Sequence, residues 1–316
     1  MMSCLLVNAQ VSTGFALQPL ECETCMRISL VASSLISAAE LLPRLGASDL
    51  RVVDARFELS QPQAGKKLYL AGHVPGAVHL DLDDDLSGEA KRGHGRHPLP
   101  DMADFAAKLG SIGIDNESET VVYDQSGGMF AARAWWLLRY AGQRRTRFLD
   151  GGLDAYLAAG GQLISDVTAP VATTFDLDIN EDLVMSAEEL SARLGEPGHT
   201  LIDARAPERY RGDVEPLDDL AGHIPTAINL PFDMASESGV LLSPDRLADV
   251  YPVKELERAG ELVAYCGSGV SAAHLILSLE EAGITGVKLY PGSWSEWSSR
   301  PGLPVATGPD PGVVDG

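Results

Sequence analysis

Short runs of β-branched and other apolar residues alternate along the chain with segments that are apolar at helical spacing. The runs that predict buried strands cover residues 51–53, 120–123, 147–149, 200–202, 261–265 and 287–290. Helical spacing predicts helices over 131–140 and 271–281, and Ser243-Pro244 is typical of a helix start. The alternation predicts an α/β fold with mostly parallel sheets flanked by helices.

Several motifs occur twice, which is typical of tandem homologous domains. The spacing is 149 to 150 positions for early motifs and 141 for later ones, so the first copy holds nine extra residues between 81 and 100. The matched pairs are Ser-Ala-x-Glu-Leu at 37 and 186, Asp-Ala-Arg at 54 and 203, Ala-Gly-His-x-Pro at 71 and 221, the Gly-rich turns at 127–132 and 268–273, and the closing segments at 150–152 and 291–293. The sequence therefore predicts the same α/β domain twice.

The repeat also predicts the domain boundaries. We expect a flexible N-terminal extension over 1–27, a first domain over 28–160 and a second domain over 183–307. The polar run over 161–182 is too irregular for a helix or core strand and predicts an ordered linker. A flexible tail is expected over 308–316.

The charge balance excludes some classes of partner. The chain has 24 Lys and Arg against 45 Asp and Glu, a net charge of −21, whereas nucleic-acid binders neutralise phosphates with basic residues. No uninterrupted apolar run approaches the roughly 18 residues of a membrane span, and no basic residue precedes an apolar stretch at the start. We expect a cytoplasmic protein that binds neither nucleic acid nor membrane.

The four cysteines are too few for a disulfide scaffold in 316 residues. Cys22 and Cys25 have a spacing found in zinc and redox sites, but neither a second pair nor a nearby histidine completes four ligands. The aspartates at 81–85 are not expected to bind a metal, because neighbouring side chains on an extended chain point to opposite sides. We expect no metal and no cofactor, and no required role for Cys4, Cys22 or Cys25.

Cys266 stands at the end of a predicted strand and is followed by a Gly-rich turn and a predicted helix. Open α/β sheets place ligands at this edge. Gly267 and Gly269 allow successive backbone N–H groups to turn inward, and the helix N-terminus adds partial positive charge. Both effects favour thiolate over thiol, so the sequence predicts a nucleophilic cysteine.

Two chemistries use a cysteine in such a loop. Cysteine phosphatases carry an arginine at the sixth position after the nucleophile, where it binds phosphate in a bidentate manner. Here that position is Ala272, which argues against a phosphatase. In sulfur transfer, a thiolate attacks a sulfane sulfur, holds it as a persulfide and passes it to an acceptor.

The motifs in combination resemble the tandem-domain rhodanese family of sulfurtransferases over residues 28–304. They are the repeated Asp-Ala-Arg and Gly-His-x-Pro elements, the Cys-Gly-Ser-Gly-Val-Ser loop and the closing Gly-Ser-Trp-Ser-Glu-Trp. The neutral loop is similar to the mercaptopyruvate branch of the family. The resemblance implies a catalytic second domain, a non-catalytic first domain with Gln125 aligned to Cys266, and transfer of sulfur from 3-mercaptopyruvate to a thiol, thioredoxin-like or cyanide acceptor.

The resemblance also implies roles for individual residues. Arg209 matches an arginine that binds the substrate carboxylate, and Ser268 matches a serine that takes part in proton transfer beside Cys266. Asp83 and His97 match two first-domain residues that reach the same cleft. The remaining loop residues are expected to bind substrate, namely Gly267, Gly269, Val270 and Ser271.

Leu217 departs from the family pattern, since the family carries a second substrate-binding arginine directly after a Glu-Pro pair. Loss of a buried cation should weaken carboxylate binding by on the order of 1.5–3 kcal/mol, which keeps thiosulfate open as the donor. A persulfide carrier loaded by a partner and an inactive scaffold are further hypotheses. Residues that recur in both halves, and the tryptophan pair, are expected to be structural: Arg56, His73, Arg205, His223, Trp135 and Trp136.

Overall fold

A computed structural model describes residues 33–167 and 169–313. The predictions for the N-terminal extension and for Cys4, Cys22 and Cys25 lie outside the described residues.

The first domain contains one parallel sheet of five strands. The strands are β1 (Leu35–Ile36), β2 (Leu50–Asp54), β3 (Ala77–His79), β4 (Glu119–Tyr123) and β5 (Thr146–Leu149). They lie in the order β1-β5-β4-β2-β3. The helices of this domain are α1 (Ala38–Leu41), α2 (Ala64–Ala71), α3 (Met102–Ser111), α4 (Met129–Tyr140) and α5 (Gly152–Ala158).

The second domain repeats this plan with a parallel sheet in the order β11-β10-β6-β7, whose strands are β6 (His199–Asp203), β7 (Ile228–Asn229), β10 (Glu261–Tyr265) and β11 (Lys288–Leu289). A bridge between Val184 and Leu289 adds the edge that β1 forms in the first domain. A short hairpin consists of β8 (Ser236–Glu237) and β9 (Val240–Leu241). The helices are α6 (Ala187–Arg193), α7 (Pro207–Arg211), α8 (Pro244–Val250), α9 (Val253–Leu256), α10 (Ser271–Glu281) and α11 (Ser293–Trp297), and 3₁₀ turns cover Leu42–Arg44, Glu181–Leu183 and Phe232–Ala235.

Each domain begins with the same helix cap. The hydroxyl of Ser37 accepts the N–H of Glu40 at 3.2 Å, while the Glu40 carboxylate accepts the N–H of Ser37 at 2.9 Å. Ser186 and Glu189 form the same two bonds at the start of α6. These reciprocal bonds satisfy N–H groups that have no partner inside a helix, so the repeated motif starts both domains in the same way.

The polar residues that recur in both halves hold loops together, as predicted. Arg56 pairs with Asp54 at 2.5 Å, and Arg205 pairs with Asp203 at 2.6 Å; all four side chains are buried. Both guanidinium groups also donate to a backbone carbonyl of the loop that follows the next helix. The recurring histidines each bond a backbone carbonyl through Nδ1, His73 to Tyr69 and His223 to Tyr210.

Helices α4 and α10 pack against each other, and one apolar cluster contains residues of both domains. Trp135 and Trp136 are buried in this cluster, which confirms the prediction that they belong to the core. The same cluster contains Leu275 and Leu279 of the second domain. The shared core fixes the two domains relative to each other and so fixes the cleft between them.

The connection between the domains runs along the first domain. Ile164 pairs with His73, and the Asp178 N–H donates to the carbonyl of Ala141 at 3.0 Å. Within the segment predicted to be a tail, the carbonyl of Pro311 accepts the Thr226 N–H at 2.6 Å. This backbone bond holds the chain against the second domain beyond residue 308. Among the described residues, no helix is long and apolar enough to cross a membrane.

Candidate active site

Cys266 directly follows β10, and only 2% of its surface is exposed. The Gly269 N–H donates to its sulfur at 3.1 Å. Burial raises the pKa of the Cys266 thiol, but hydrogen bonds from the Ser271 hydroxyl and from the N–H groups of Ser268, Ala272 and Gly269 outweigh it, so the pKa lies below its ordinary value. The predicted nest of donors is therefore present and favours the thiolate.

The loop over residues 266–272, here called the second loop, is locked to the segment that follows β11. Gly269 has φ +78°, and an added Cβ would lie 2.4 Å from the Pro291 carbonyl oxygen, so only glycine fits. The Cys266 N–H donates to the Ser293 hydroxyl at 3.1 Å. Val270, predicted to contact substrate, is 6% exposed and packs in the shared apolar cluster. It therefore anchors the loop.

Ser268, His97 and Asp83 form a chain of polar groups that ends beside Cys266. His97 Nδ1 lies 2.8 Å from the Ser268 hydroxyl, and His97 Nε2 lies 3.5 Å from an Asp83 carboxylate oxygen. Burial, together with the positive charges of Arg133 and Arg96, lowers the pKa of His97 to about 4. The ring is therefore neutral at physiological pH. With the ring proton on Nε2, facing Asp83, Nδ1 accepts a hydrogen bond from the Ser268 hydroxyl.

The extra residues of the first domain carry His97 to the second domain. The Arg96 N–H donates to the Ser295 hydroxyl at 3.1 Å. Gly95 has φ +85°, and an added Cβ would lie 2.8 Å from the Gly292 carbonyl oxygen, so the backbone of this segment passes close to the start of α11. The insertion between 81 and 100 thus completes the cleft from the other domain.

Two guanidinium groups lie beside the second loop, close to Gly267. Arg209 of α7 pairs with Glu215 at 2.7 Å, and Arg96 of the first domain pairs with Asp218. An added Cβ at Gly267 would lie 3.0 Å from Arg96 Nη2 and 3.4 Å from Arg209 Nη1. One cation from each domain therefore borders the loop that holds the nucleophile.

Arg96 was not among the predicted site residues, although it stands next to His97 in the sequence. The Leu217 side chain is 56% exposed, and its N–H donates to Glu215 at 3.1 Å. Position 217, where the resemblance implies a second arginine, is therefore uncharged, while Arg96 brings a cation to the loop from the other domain.

A third arginine at this site, Arg133 of α4, was likewise not predicted from the sequence. It is fully buried, and its guanidinium donates to the carbonyl oxygens of Leu86, His97 and Gly269 at 3.2 Å and of Pro98 at 3.3 Å. The signal that could have found it is a charged residue in the middle of an otherwise apolar helix.

The first domain has a loop corresponding to the second loop, over residues 124–131 and here called the first loop. The predicted alignment of Gln125 with Cys266 is wrong by one residue. Tyr123 pairs with Asp54 in the sheet as Tyr265 pairs with Asp203, so Asp124 stands at the place of the nucleophile. The first copy holds one more residue than the second between this strand and the matched alanine pair of the helix, at 131–132 and 272–273.

Comparison with known proteins places these features in a family. The model of the rhodanese-like domain matches residues 37–159 and again 186–300. The chain is 45% identical over 281 residues to a Pseudomonas aeruginosa protein named "Probable 3-mercaptopyruvate sulfurtransferase", covering 88% of this chain and 99% of that one. It is 34% identical to bovine thiosulfate sulfurtransferase, covering 79% and 86% of the two chains. The crystal structure of SseA from Escherichia coli, described as a 3-mercaptopyruvate sulfotransferase, superposes on this chain with a TM-score of 0.73 at 28% sequence identity. The match covers 83% of this chain and 99% of the SseA chain.

Proposed function

We propose that this chain, a sulfurtransferase that belongs to the rhodanese family, takes a sulfane sulfur from 3-mercaptopyruvate through a persulfide on Cys266. A thiol, a thioredoxin-like protein or cyanide then accepts the sulfur. The identity of the sulfur donor has to be inferred from the site residues, because relatives named for mercaptopyruvate and for thiosulfate both align over most of the chain.

The observation that carries the choice of donor is the series of contacts from Asp83 through His97 to Ser268, which lies two residues after the nucleophile. Thiosulfate gives up its outer sulfur by releasing sulfite, which leaves as a stable anion and needs no proton. Mercaptopyruvate releases the enolate of pyruvate, which must be protonated on carbon. A serine hydroxyl bonded to a neutral histidine can move that proton, so the group supports mercaptopyruvate.

The first half-reaction is a displacement at sulfur. The Cys266 thiolate attacks the mercapto sulfur of the donor, a sulfur–sulfur bond forms, and the carbon–sulfur bond breaks with its electron pair left on the enolate. The sulfhydryl proton passes through Ser268, with His97 Nδ1 as the neighbouring acceptor, to the enolate carbon. The products are pyruvate and a deprotonated persulfide, so atoms and charge balance without a metal or cofactor.

The two bordering cations fit the rest of the donor. Mercaptopyruvate has one carboxylate beside a carbonyl, and a guanidinium can bind a carboxylate through two parallel hydrogen bonds. We assign this role to Arg209 and add Arg96, which supplies the second positive charge that Leu217 does not. Both arginines already face carboxylates, Glu215 and Asp218, which hold the guanidinium groups at the loop before substrate arrives.

In the second half-reaction the acceptor attacks the outer persulfide sulfur, and Cys266 leaves as a thiolate. A leaving thiolate of low pKa departs more readily, which is the state that the second loop favours. We propose a cytoplasmic protein whose partners are a small sulfur donor and a thiol acceptor, and which binds neither nucleic acid nor membrane. The net charge of −21 supports the absence of nucleic-acid binding.

Parallel steady-state kinetics with mercaptopyruvate and thiosulfate test the donor. We expect the higher kcat/KM with mercaptopyruvate, and an equal or higher value with thiosulfate would make the chain a thiosulfate sulfurtransferase. Mass spectrometry of the Cys266 peptide should show one added sulfur atom after incubation with donor. A persulfide that forms without multiple turnover would support the carrier hypothesis, and no persulfide with either donor would support the inactive scaffold.

A further inference from the structure

Three arginines are buried among the described residues, and one of them differs from the others. Arg56 and Arg205 each face a buried aspartate of their own domain. Arg133 forms no ion pair with a carboxylate in the described part of the chain, and its hydrogen bonds go only to backbone carbonyl oxygens. These carbonyls satisfy its N–H groups but do not neutralise its charge.

A buried charge without a counter-charge is unfavourable, because the surroundings replace little of its hydration. Burial lowers the pKa of Arg133 to about 10, while the negative charge of Cys266 raises it, so the guanidinium stays protonated at neutral pH. Arg133 also contacts the loop that holds Cys266, because its guanidinium donates to the Gly269 carbonyl at 3.2 Å.

The other charged groups around Cys266 already have partners or are neutral. Arg96 faces Asp218 and Arg209 faces Glu215, so each of these cations is offset by a carboxylate. His97 is neutral because its pKa is lowered to about 4. From α11, Glu296 pairs with Arg300. Among the described charged groups named around the second loop, Arg133 is therefore the cation without a carboxylate partner.

The equivalent position in the other domain provides an internal control. Arg133 lies at the sequence position in α4 that His274 occupies in α10, 141 residues later. His274 approaches the first loop, since an added Cβ at Gly128 would lie 3.2 Å from its Cδ2. Burial lowers the pKa of His274 to about 4, so this group is neutral. The loop with the thiolate thus faces a cation across the interface, and the loop without it faces a neutral ring.

We propose that Arg133 is a positioning residue whose buried charge, contributed by the non-catalytic domain, stabilises the thiolate of Cys266. It acts on the attacking thiolate in the first half-reaction and on the leaving thiolate in the second. The inference goes beyond the proposed donor, because it applies to any sulfur donor or acceptor. It also gives the first domain a role at the nucleophile itself.

The pH dependence of alkylation measures the thiolate directly and requires no turnover. Iodoacetamide modification of the Cys266 peptide, followed by mass spectrometry, is compared in the unmutated chain, Arg133→Gln and Arg133→Lys. Loss of the charge in Arg133→Gln should slow alkylation about tenfold near neutral pH and move its pH profile upward, whereas Arg133→Lys should stay within about twofold. Equal rates in Arg133→Gln and the unmutated chain, or equal losses in both variants, would overturn the proposal.

Arg139 offers a matched control, because it lies on the same helix and pairs with Glu280 at 2.6 Å. Arg139→Gln should leave the alkylation profile of Cys266 unchanged. A change as large as in Arg133→Gln would show that any arginine of α4 affects the thiol through packing, which contradicts a specific role for the Arg133 charge.

A second measurement uses the unmutated chain and so does not depend on a variant folding. Iodoacetamide leaves a neutral adduct on Cys266, and iodoacetate leaves an adduct of nearly equal size that carries a negative charge. If Arg133 requires a counter-charge at this site, the neutral adduct should lower Tm more than the charged one. Cys266→Ser treated in the same way corrects for the other cysteines. Equal Tm values for the two adducts would be inconsistent with the proposal.

Discussion

The first and second loops share one backbone design but hold different hydrogen-bond acceptors. In the first loop, the Asp124 carboxylate accepts four backbone N–H groups at 2.9 Å each, from Ser126, Gly128, Phe130 and Ala131. In the second loop, the N–H groups two, three and six residues after Cys266 bond its sulfur instead. The nest of donors is therefore occupied in both domains, by the side chain of an aspartate in one and by that of a cysteine in the other.

This comparison separates the features that make an anion site from those that make a catalyst. Both loops are also closed in the same way, because the carbonyls of Asp124 and Cys266 accept the N–H groups of Leu153 and Trp294. Only the second loop has a sulfur nucleophile, a polar chain through His97 and bordering cations from two domains. Nest and closure thus belong to the fold, whereas the chemistry depends on the residues added around the second loop.

The largest effect is expected from replacing the sulfur. Cys266→Ser should lower turnover with either donor at least about a thousandfold, because a serine hydroxyl cannot form the persulfide and the carboxylate of Asp124 cannot replace it. Steady-state kinetics and circular dichroism measure activity and fold. Replacing Cys4, Cys22 and Cys25 by serine serves as the control and should leave activity intact. Substantial activity in Cys266→Ser would mean that another residue carries the sulfur.

The second largest effect is expected at His97, and it should differ between the two sulfur donors. His97→Gln should lower kcat with mercaptopyruvate about a hundredfold, because the Ser268 hydroxyl loses the acceptor of its proton. Turnover of thiosulfate should change by less than about threefold, since sulfite leaves without a proton. His94→Gln, an exposed histidine of the same segment, is the control. Equal losses with both donors would indicate that His97 only holds the cleft together.

A smaller effect is expected from the cation that the first domain adds. Arg96→Gln should raise KM for mercaptopyruvate about tenfold with little change in kcat, as for lost uniform binding of the carboxylate. Arg92→Gln, exposed in the same segment, should leave KM unchanged. Adding Leu217→Arg to Arg96→Gln returns a cation near Asp218 and should recover part of the affinity. An unchanged KM in Arg96→Gln would assign carboxylate binding to Arg209 without Arg96.

Local patterns predicted what depends on neighbouring residues in the chain. The strand, Gly-rich turn and helix around Cys266 follow from apolar spacing and glycine, and the duplicated caps follow from Ser and Glu three residues apart. Arg96 and Arg133 act across the domain interface, on contacts more than 100 positions apart in sequence. No short-range pattern encodes such contacts.

The register of the first loop shows a different limit. Matching glycines placed Gln125 opposite Cys266, because Gly127 and Gly128 can align with the second loop in two ways. The sheet decides between them, since Tyr123 must pair with Asp54. One extra residue in a turn is invisible to motif matching, but hydrogen bonding between strands fixes it.

The smallest effect on turnover, and a clear effect on stability, is expected at Asp124. Asp124→Asn keeps the size of the side chain but replaces one acceptor oxygen with an NH₂ group that faces two backbone N–H donors. Leaving buried donors without a partner should lower the free energy of unfolding by about 1–3 kcal/mol, measured by urea denaturation.

The control is Asp154→Asn, a substitution of an exposed aspartate nearby, which should change the free energy of unfolding by less than about 0.5 kcal/mol. Because the donors of the second loop bond Cys266 and not Asp124, kcat and KM of Asp124→Asn should stay within about twofold of the unmutated values. A stability equal to that of the unmutated chain would show that the carboxylate does not hold the first loop, and a large loss of kcat would show that the two loops are coupled through the shared core.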